Sequence, residues 1–348
     1  MKGLRFADIC SRPAEVVALT SLSLRAFLTL LPHFEAKFHE HMSKWCMDGN
    51  PRTSRRPFIT YRNCPLPTPE DRLLFIMSYL KTNALQTVHG RMFAMVQCKA
   101  NTWIHILLQV VHSTMDTLCH IPCRTLEELA RHLNVEEDEA AQIMEQSDSE
   151  PTAAAEPVPP SPCKEEPQPD STPTATGPVF CHDGMERRIQ RPQDDEQQKL
   201  NYSGKKKGHM VKNVLLIDQS KRIVFLSDTT AGKTHDKKIA DATPYPLPTG
   251  STLLQDLGFQ GFSLEGVQII MPAKKPRGGQ LTLEQKESNR EISRRRVSIE
   301  HVNSSVKRCR VIKDTLRLLK EGVRDFIIEV CCALHNFRID LVPWQPMV

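Results

Sequence analysis

Three acidic residues have the spacing and the setting from which chemistry can be predicted. Asp183 interrupts an otherwise apolar run, Val179–Ile189, that favours a strand. A carboxylate in a strand is costly to bury unless another group pairs with it. Asp256 directly follows a second apolar run, and Glu300 lies in a stretch predicted to form a long helix, Arg290–Lys320. We therefore expect the three acids to converge on one site.

Convergence of three carboxylates implies a metal site. Two like charges about 4 Å apart repel by roughly 4 kcal/mol at an effective dielectric near 20, so the cluster needs cations. Mg²⁺ or Mn²⁺ accepts hard carboxylate oxygens, and two ions about 4 Å apart stabilise the attacking and the leaving oxygen of a phosphodiester. The predicted metal ligands are Asp183, Asp256 and Glu300, with two ions, and the matching chemistry is phosphodiester cleavage and transfer.

Two cations flank Glu300 on the predicted helix. A helix turns about 100° per residue, so Arg296, four residues earlier, and Lys307, seven residues later, lie on the face of Glu300. We expect both cations to bind DNA phosphates beside the metal. An Arg–Glu pair at this spacing also stabilises an ordinary helix, so the pattern has two interpretations.

The segments that position these acids are predicted to form a mixed sheet flanked by helices. Apolar runs and turn residues predict strands at Val179–Ile189, His209–Asp218, Arg222–Ser227, Thr252–Gln255 and Val267–Met271, and helices at His235–Ala242, Arg290–Lys320 and Val323–Phe337. Three strands, a helix, a strand that ends in Asp and a later helix with Glu follow the order of the ribonuclease H-like fold. The predicted fold class is therefore α/β.

The preceding part is predicted to be all-α. Ala14–Lys44 has apolar residues at helical spacing and should form two helices that break at Pro32. Thr68 should cap a helix, because Pro and two acids follow it, and Thr125 should begin another with a capping box.

The helix at Thr68 is followed by two more predicted helices, Leu85–Met92 and about Gln97–His112. This order suits a helix-turn-helix, whose last helix presents its first residues to base edges in the major groove. A small helical bundle has the same periodicity, so both interpretations stay open. The predicted DNA readers are Gln97, Lys99, Asn101 and Thr102.

Charge divides the chain into three parts. Residues 1–134 have 16 Lys/Arg against 10 Asp/Glu, residues 135–175 have 1 against 11, and residues 176–348 have 29 against 20. Basic flanks favour double-stranded DNA as the partner, and the acidic centre is too poor in apolar residues to fold. The predicted domains are an N-terminal helical region (1–60), a helix-turn-helix domain (61–134), an acidic Pro/Glu-rich linker (135–175) and a ribonuclease H-like catalytic domain (176–341).

The cysteines and the apolar runs predict a compartment. Eleven cysteines without framework-like spacing, and a start that does not read as a signal segment, favour a reducing interior. The apolar runs are too short to span a bilayer. We expect a cytoplasmic protein, associated with the bacterial nucleoid, and no membrane partner.

Several single features have rival interpretations. Asp236 is the main alternative to Asp256, but it sits near a helix start, where an acid is favourable anyway. Asp228 ends a strand and is typical of a turn. Lys205, Lys206 and Lys207 should form a hairpin tip, which either binds the DNA backbone or is merely solvated. Cys119, His120 and Cys123 lack the spacing of a zinc site.

Five blocks of sequence, in order, resemble those of DDE transposases of bacterial insertion sequences, and the most similar group is the Harbinger-related branch with an N-terminal helix-turn-helix. The resemblance covers about Pro65 to Phe337. The blocks are Asp183–Ile189, Tyr202–Lys207, Thr234–Asp236, Asp256–Gly261 and Arg296–Glu300.

The resemblance implies a catalytic triad at Asp183, Asp256 and Glu300, with Arg296 and Lys307 beside the Glu. It also implies binding of terminal inverted repeats and target DNA, and at least a dimer on DNA. Ser293 stands where the family often has Tyr, Met185 where Thr is common, and Val96 where Ser is common. The alternatives are a catalytically inactive DNA-binding descendant and a stand-alone metal-dependent nuclease.

Overall fold

The computed structural model of the protein describes residues 3–54, 56, 58–135, 177–318 and 322–343. The predicted acidic linker lies outside these ranges apart from its first residue, Val135. The described helices before it are α1 (Phe6–Ile9), α2 (Pro13–Thr20), α3 (Leu24–Lys44), α4 (Pro69–Thr82), α5 (Gln86–Met92), α6 (Gln97–Thr117) and α7 (Leu126–Leu133).

The break predicted at Pro32 is wrong, because α3 runs through it. The chain breaks earlier, where Ser21 adopts a left-handed conformation (φ 62°) and the Ser23 side chain accepts a hydrogen bond from the backbone of Ala26. Proline costs an interior helix one hydrogen bond. The continuous buried face of α3, which includes Phe27 and Phe34 on either side of Pro32, offsets that cost.

Helices α5 and α6 are joined by a tight turn. Ala94 has φ 54°, and a Cβ on Gly90 would lie 2.8 Å from the carbonyl oxygen of Met95. Gly90 therefore allows α5 to approach α6 closely. Helices form at the predicted positions after Thr68 and Thr125, and both caps accept their backbone hydrogen bonds.

Residues 177–318 and 322–343 form a mixed sheet flanked by helices, as predicted. Its strands are β1 (Val179–Arg188), β2 (Tyr202–Ser203), β3 (Gly208–Ile217), β4 (Ile223–Leu226), β5 (Thr230–Ala231), β6 (Thr252–Leu254) and β7 (Gln268–Ile270). Its helices are α8 (Asp195–Asn201), α9 (Asp236–Asp241), α10 (Leu283–Val306), α11 (Arg310–Lys313) and α12 (Val323–Leu341).

Strand β1 lies at the centre of this sheet. It pairs antiparallel with β3 and parallel with β6, β6 pairs parallel with β7, and β2, β4 and β5 pair along the other side of β3. Side chains alternate between the two faces of a strand. One face of the sheet packs against α10 and α12, and the other covers a second core that includes Phe180, Tyr245 and Phe259.

The long helix predicted over Arg290–Lys320 has different limits. It begins at Leu283, because Thr282 and Gln285 form a capping box, and it ends at Val306. A short turn then leads to α11. The predicted end falls at residue 320, outside the described ranges.

The helical part and the sheet share one core. Helix α6 packs on α12, α4 packs on α11, and their buried residues belong to a single hydrophobic cluster. Residues between α6 and the linker lie against the sheet: the backbone of Cys123 pairs with β4, and Leu129 of α7 is buried in the second core. The helical part and the sheet therefore pack against each other and are not two domains with separate cores.

Within the described ranges, no individual helix is both long enough and apolar enough to cross a membrane. Helices α2 and α3, which meet at an angle of 61°, are together long enough and apolar enough for a span, by length and composition only.

Candidate active site

Asp183 lies in the middle of β1, opposite Leu215 of β3. Its carboxylate accepts a hydrogen bond of 2.8 Å from the side-chain amide of Asn303 on α10. Burial raises the pKa of Asp183 to about 6, although the neighbouring Arg296 acts in the opposite direction. The carboxylate thus stands in a poorly solvated position where a cation would stabilise its charge.

The pairing register brings Asp256 to Asp183. Strand β6 pairs with β1 at a constant offset of 73 residues, for example Val179 with Thr252 and Cys181 with Leu254. Asp183 and Asp256 have the same offset, 256 − 183 = 73, and lie two residues beyond the last pair of this ladder. Because side chains alternate, the two carboxylates fall on the same face. The negative charge of Asp256 contributes to the raised pKa of Asp183.

Arg296 on α10 acts on both aspartates, since its positive charge also lowers the pKa of Asp183. Its Nη1 is 3.6 Å from Oδ1 of Asp256, whose side chain is 50% exposed. Asp256 also caps the 3₁₀ turn that follows it, by accepting a hydrogen bond of 2.6 Å from the backbone of Leu257. Arg296 offsets the negative charge that these acids would otherwise place together.

Glu300 lies on the same face of α10, one turn after Arg296 and three residues before Asn303. Both of those neighbours contact an aspartate of the site, so the face of α10 that carries Glu300 is turned towards β1. Glu300 itself is exposed and lines a cleft with Asn303 and Lys307. Lys307, the C-terminal cap of α10, therefore shares the cleft with Glu300.

The donor set suits a hard divalent cation. Asp183, Asp256 and Glu300 supply carboxylate oxygens, which Mg²⁺ prefers. The side-chain NH₂ of Asn303 donates a hydrogen bond to Asp183. The Oδ1 of Asn303, on the same amide, is buried without a hydrogen-bond partner among the described residues. In the part of the chain that the structure describes, no three acidic, histidine or cysteine side chains approach closely enough to hold one ion.

Asp236, the rival second acid, lies across the sheet from Asp183. A Cβ on Gly184 would be 2.9 Å from its Cγ, and Gly184 faces away from Asp183 because the two are neighbours in β1. Lys212 is 3.2 Å from Asp236 and 3.4 Å from Glu186. Asp236 is therefore already paired with a cation, Lys212. The negative charge of Asp236 nevertheless contributes to the raised pKa of Asp183.

Asp228 and the Cys119–Cys123 segment are occupied by structural contacts. Asp228 pairs with Arg124 at 2.8 Å, and its side chain is 88% exposed. His120 lies 3.2 Å from Asp340. Both features therefore take part in ion pairs within the protein.

The three lysines lie far from the acids. Lys205, Lys206 and Lys207 form the exposed turn between β2 and β3. Eight residues of β3 separate Lys207 from Leu215, the partner of Asp183, which corresponds to about 25 Å along the strand. The structure therefore does not bring this tip to the predicted metal site.

The predicted readers lie at the start of α6. Lys99 is exposed, whereas Gln97 accepts a hydrogen bond of 3.0 Å from Thr87 and Asn101 accepts one of 2.9 Å from Gln86. Both partners belong to α5. Gln97 and Asn101 thus also fasten the turn between the two helices.

His182 and Asn303 are two residues of the site that sequence reasoning missed. His182 is fully buried beside Asp183, and it hydrogen-bonds with Gln255 at 3.2 Å and with Tyr245 at 3.3 Å. Burial lowers its pKa to about 3, so it is neutral. Asn303 could have been found from its position on the predicted helix face, three residues after Glu300; His182 gave no such signal.

Comparison with known proteins places this site in context. Residues 182–336 match the family described as DDE superfamily endonuclease. The chain is also 32% identical over 161 residues to a probable transposase for insertion sequence element IS702 from Microchaete diplosiphon. That alignment covers 46% of this chain and 56% of the relative, so the chain spans little more than half of its length. No solved structure matches the chain.

Proposed function

We propose that the chain is a DNA transposase of an insertion sequence, on the premise that residues 182–336, which match the DDE superfamily endonuclease family, form its catalytic domain. The observation that supports the proposal is the offset of 73 residues that Asp183 and Asp256 share with the paired strands β1 and β6, together with the distance of 3.6 Å from Arg296 to Asp256. We infer a ribonuclease H-like fold from the acids on β1, after β6 and on α10. The protein would carry out this reaction in the cytoplasm, on the DNA of the bacterial nucleoid.

Asp183, Asp256 and Glu300 would hold two Mg²⁺ or Mn²⁺ ions. Such ions supply charge neutralisation for the attacking and the leaving oxygen of a phosphodiester. Asn303 orients the carboxylate of Asp183 through its amide. Arg296 and Lys307, on the same helix face as Glu300, would bind the phosphates on either side of the scissile bond.

The reaction begins with hydrolysis, which breaks the bond between phosphorus and the 3′ oxygen and transfers a water oxygen to the phosphate. The freed 3′-OH then attacks a phosphodiester of target DNA: its oxygen bonds to the target phosphorus, the bond from that phosphorus to the target 3′ oxygen breaks, and a target 3′-OH leaves. The turn between α5 and α6 supports a helix-turn-helix that would bind terminal inverted repeats through Gln97, Lys99 and Asn101. Lys205, Lys206 and Lys207 would contact the DNA backbone away from the cleavage site. Joining two ends requires at least two protomers.

Incubation of the full chain with labelled DNA from the ends of its element, in Mg²⁺, tests the proposal. Asp183→Ala, Asp256→Ala and Glu300→Ala should each lower cleavage at least a hundredfold while end binding stays near that of the wild type. Asp228→Ala, which removes an exposed acid, is the matched control and should cleave normally.

The outcomes separate the candidate functions. Specific binding without cleavage by the wild type would overturn both enzymatic functions and leave a DNA-binding descendant. Cleavage without joined products would leave a nuclease. If Asp236→Ala abolished cleavage and Asp256→Ala did not, the assignment of the second acid would be wrong.

A further inference from the structure

We propose that the cleft beside Glu300 is a phosphate track for about three nucleotides of the DNA strand next to the scissile bond, and that Lys81 of the helical part belongs to it. The inference rests on the proposed function and extends it to the surface that holds the substrate. One DNA molecule would then contact both halves of the same chain at the cleavage site.

The cleft has a volume of about 600 Å³ and is strongly cationic. Five of its side chains are basic, and Glu300 is the acidic side chain among those that line it. The cations come from α4, from the end of α10 and from α11, and they are Lys81, Lys307, Arg308, Arg310 and Lys313. Three separate elements therefore contribute positive charge to one concave surface.

Most of this charge is not neutralised by the protein. Arg310 pairs with Asp314 at 2.9 Å. Lys81, Lys307, Arg308 and Lys313 form no ion pair with a carboxylate in the ranges that the structure describes. A concave surface with uncompensated charge of one sign concentrates the field and attracts a polyanion. The phosphodiester backbone is the polyanion that the neighbouring acidic site requires.

The dimensions of the cleft fit a short strand segment. Lys307 follows Glu300 by seven residues, which at 1.5 Å per residue is about 10 Å along α10. Successive phosphates of one strand advance about 3.4 Å along the axis of the duplex. With the duplex axis along α10, the track from Glu300 to Lys307 therefore covers about three nucleotides, and Arg310 and Lys313 on α11 extend it.

Lys81 is fixed in this surface by the contact between the two halves. It lies in the last turn of α4, whose C-terminal cap, Asn83, donates to the carbonyl of Thr315 at 3.2 Å. Arg317 donates in return to the carbonyl of Asn83 at 2.7 Å. These two hydrogen bonds hold the end of α4 against the segment that follows α11.

Lys81 also precedes the first residue of α5, Gln86, by five residues. The proposed DNA reader, α5 and α6, thus begins close to the end of the track. A duplex bound by that reader could pass over Lys81 on its way to the acids, so recognition and cleavage would involve adjacent stretches of DNA.

The test measures how the affinity of the full-length protein for a fluorescein-labelled 30-base-pair duplex of random sequence depends on KCl. Each lost phosphate contact lowers the slope of log K against log salt by about 0.9. We expect Lys81→Ala and Lys313→Ala each to lower the slope by about one and to weaken binding several-fold, and the double variant to lower it by about two. Lys81→Arg should retain the slope.

Lys44→Ala is the matched control, because Lys44 is 64% exposed and pairs with Glu40 on the remote helix α3. It should bind as the wild type does, and thermal unfolding checks that all variants are folded. Slopes of Lys81→Ala and Lys313→Ala equal to that of Lys44→Ala would overturn the track, as would a wild type that does not bind the duplex.

Nicking of a supercoiled plasmid in Mg²⁺, measured in parallel, separates this inference from the proposed function. If the wild type does not nick the plasmid but the slopes of wild type and variants differ as expected, the proposed enzymatic function is contradicted and the phosphate track is supported. A wild type that nicks while both lysine variants retain its slope would contradict the track alone.

Discussion

Opposing effects set the pKa of the Asp183 carboxyl group. Burial opposes its ionisation, whereas Arg296 and the backbone of Gly184 favour it. The strand and the acid were predictable, because an interrupted apolar run is visible in sequence. The position of Asn303, three residues after Glu300, places it on the same helix face, but its hydrogen bond to Asp183 depends on the packing of α10 on β1, which the sequence does not show.

Stability should depend on pH through this residue. The carboxyl has a pKa near 3.8 when unfolded and about 6 when folded, so the folded protein binds the proton more tightly. The contribution of Asp183 to the free energy of unfolding is therefore complete below about pH 4 and is lost as pH rises through 6. At 1.36 kcal/mol per pKa unit, the loss is about 3 kcal/mol.

Guanidinium denaturation of wild type and Asp183→Asn, from pH 4 to 7.5 with EDTA, measures this contribution as the difference between the two proteins. Asp241→Asn, on the exposed surface of α9, controls for the loss of one charge. A wild-type minus Asp183→Asn difference that stayed flat across the range would contradict the expectation.

At the level of elements, His182 connects β1 to the segment that carries Asp256. It bonds to Gln255, stacks on Phe259 with ring centroids 3.9 Å apart, and Gln255 contacts the carbonyl of Phe259 at 3.4 Å. Element positions followed from apolar periodicity and caps. The course of α3 through Pro32 could not be predicted in this way, because the tertiary packing of the buried face of α3 outweighs the local preference of proline to end a helix.

His182→Ala should therefore destabilise the protein and displace Asp256. It removes a buried ring together with the hydrogen bonds of that ring to Oε1 of Gln255 and to the hydroxyl of Tyr245, at a cost of about 3 kcal/mol. Chemical denaturation measures this loss, and His132→Ala on the exposed surface of α7 should change stability by less than about 0.5 kcal/mol. Equal stability of the two variants would show that His182 does not fasten this segment.

At the scale of the whole molecule, one hydrophobic cluster extends from α3 and α6 to α10 and α12. Charge and composition predicted where the basic parts and the acidic segment lie. They could not reveal that the helical part packs on the sheet, since the contact joins residues such as Asn83 and Thr315 that are 232 positions apart.

The shared core predicts that both halves unfold together. Hydrogen exchange followed by mass spectrometry should give α6 and β3 the same opening free energy within about 1 kcal/mol, with one transition in denaturant. Arg317→Ala, which removes the bond to Asn83, should lower both values together. Loss of protection in α6 before β3 would contradict a single cooperative unit.

The parallel register of β1 and β6 has a consequence for insertions. The pairing, and not the length of the intervening chain, holds Asp256 next to Asp183. Residues added in the exposed turn at Lys205–Lys207 would leave the two carboxylates together. One residue added between Thr252 and Asp256 would move the second carboxylate to the opposite face of the sheet. The tolerance of the site to changes in length should therefore be broad in the turns and absent from this five-residue segment.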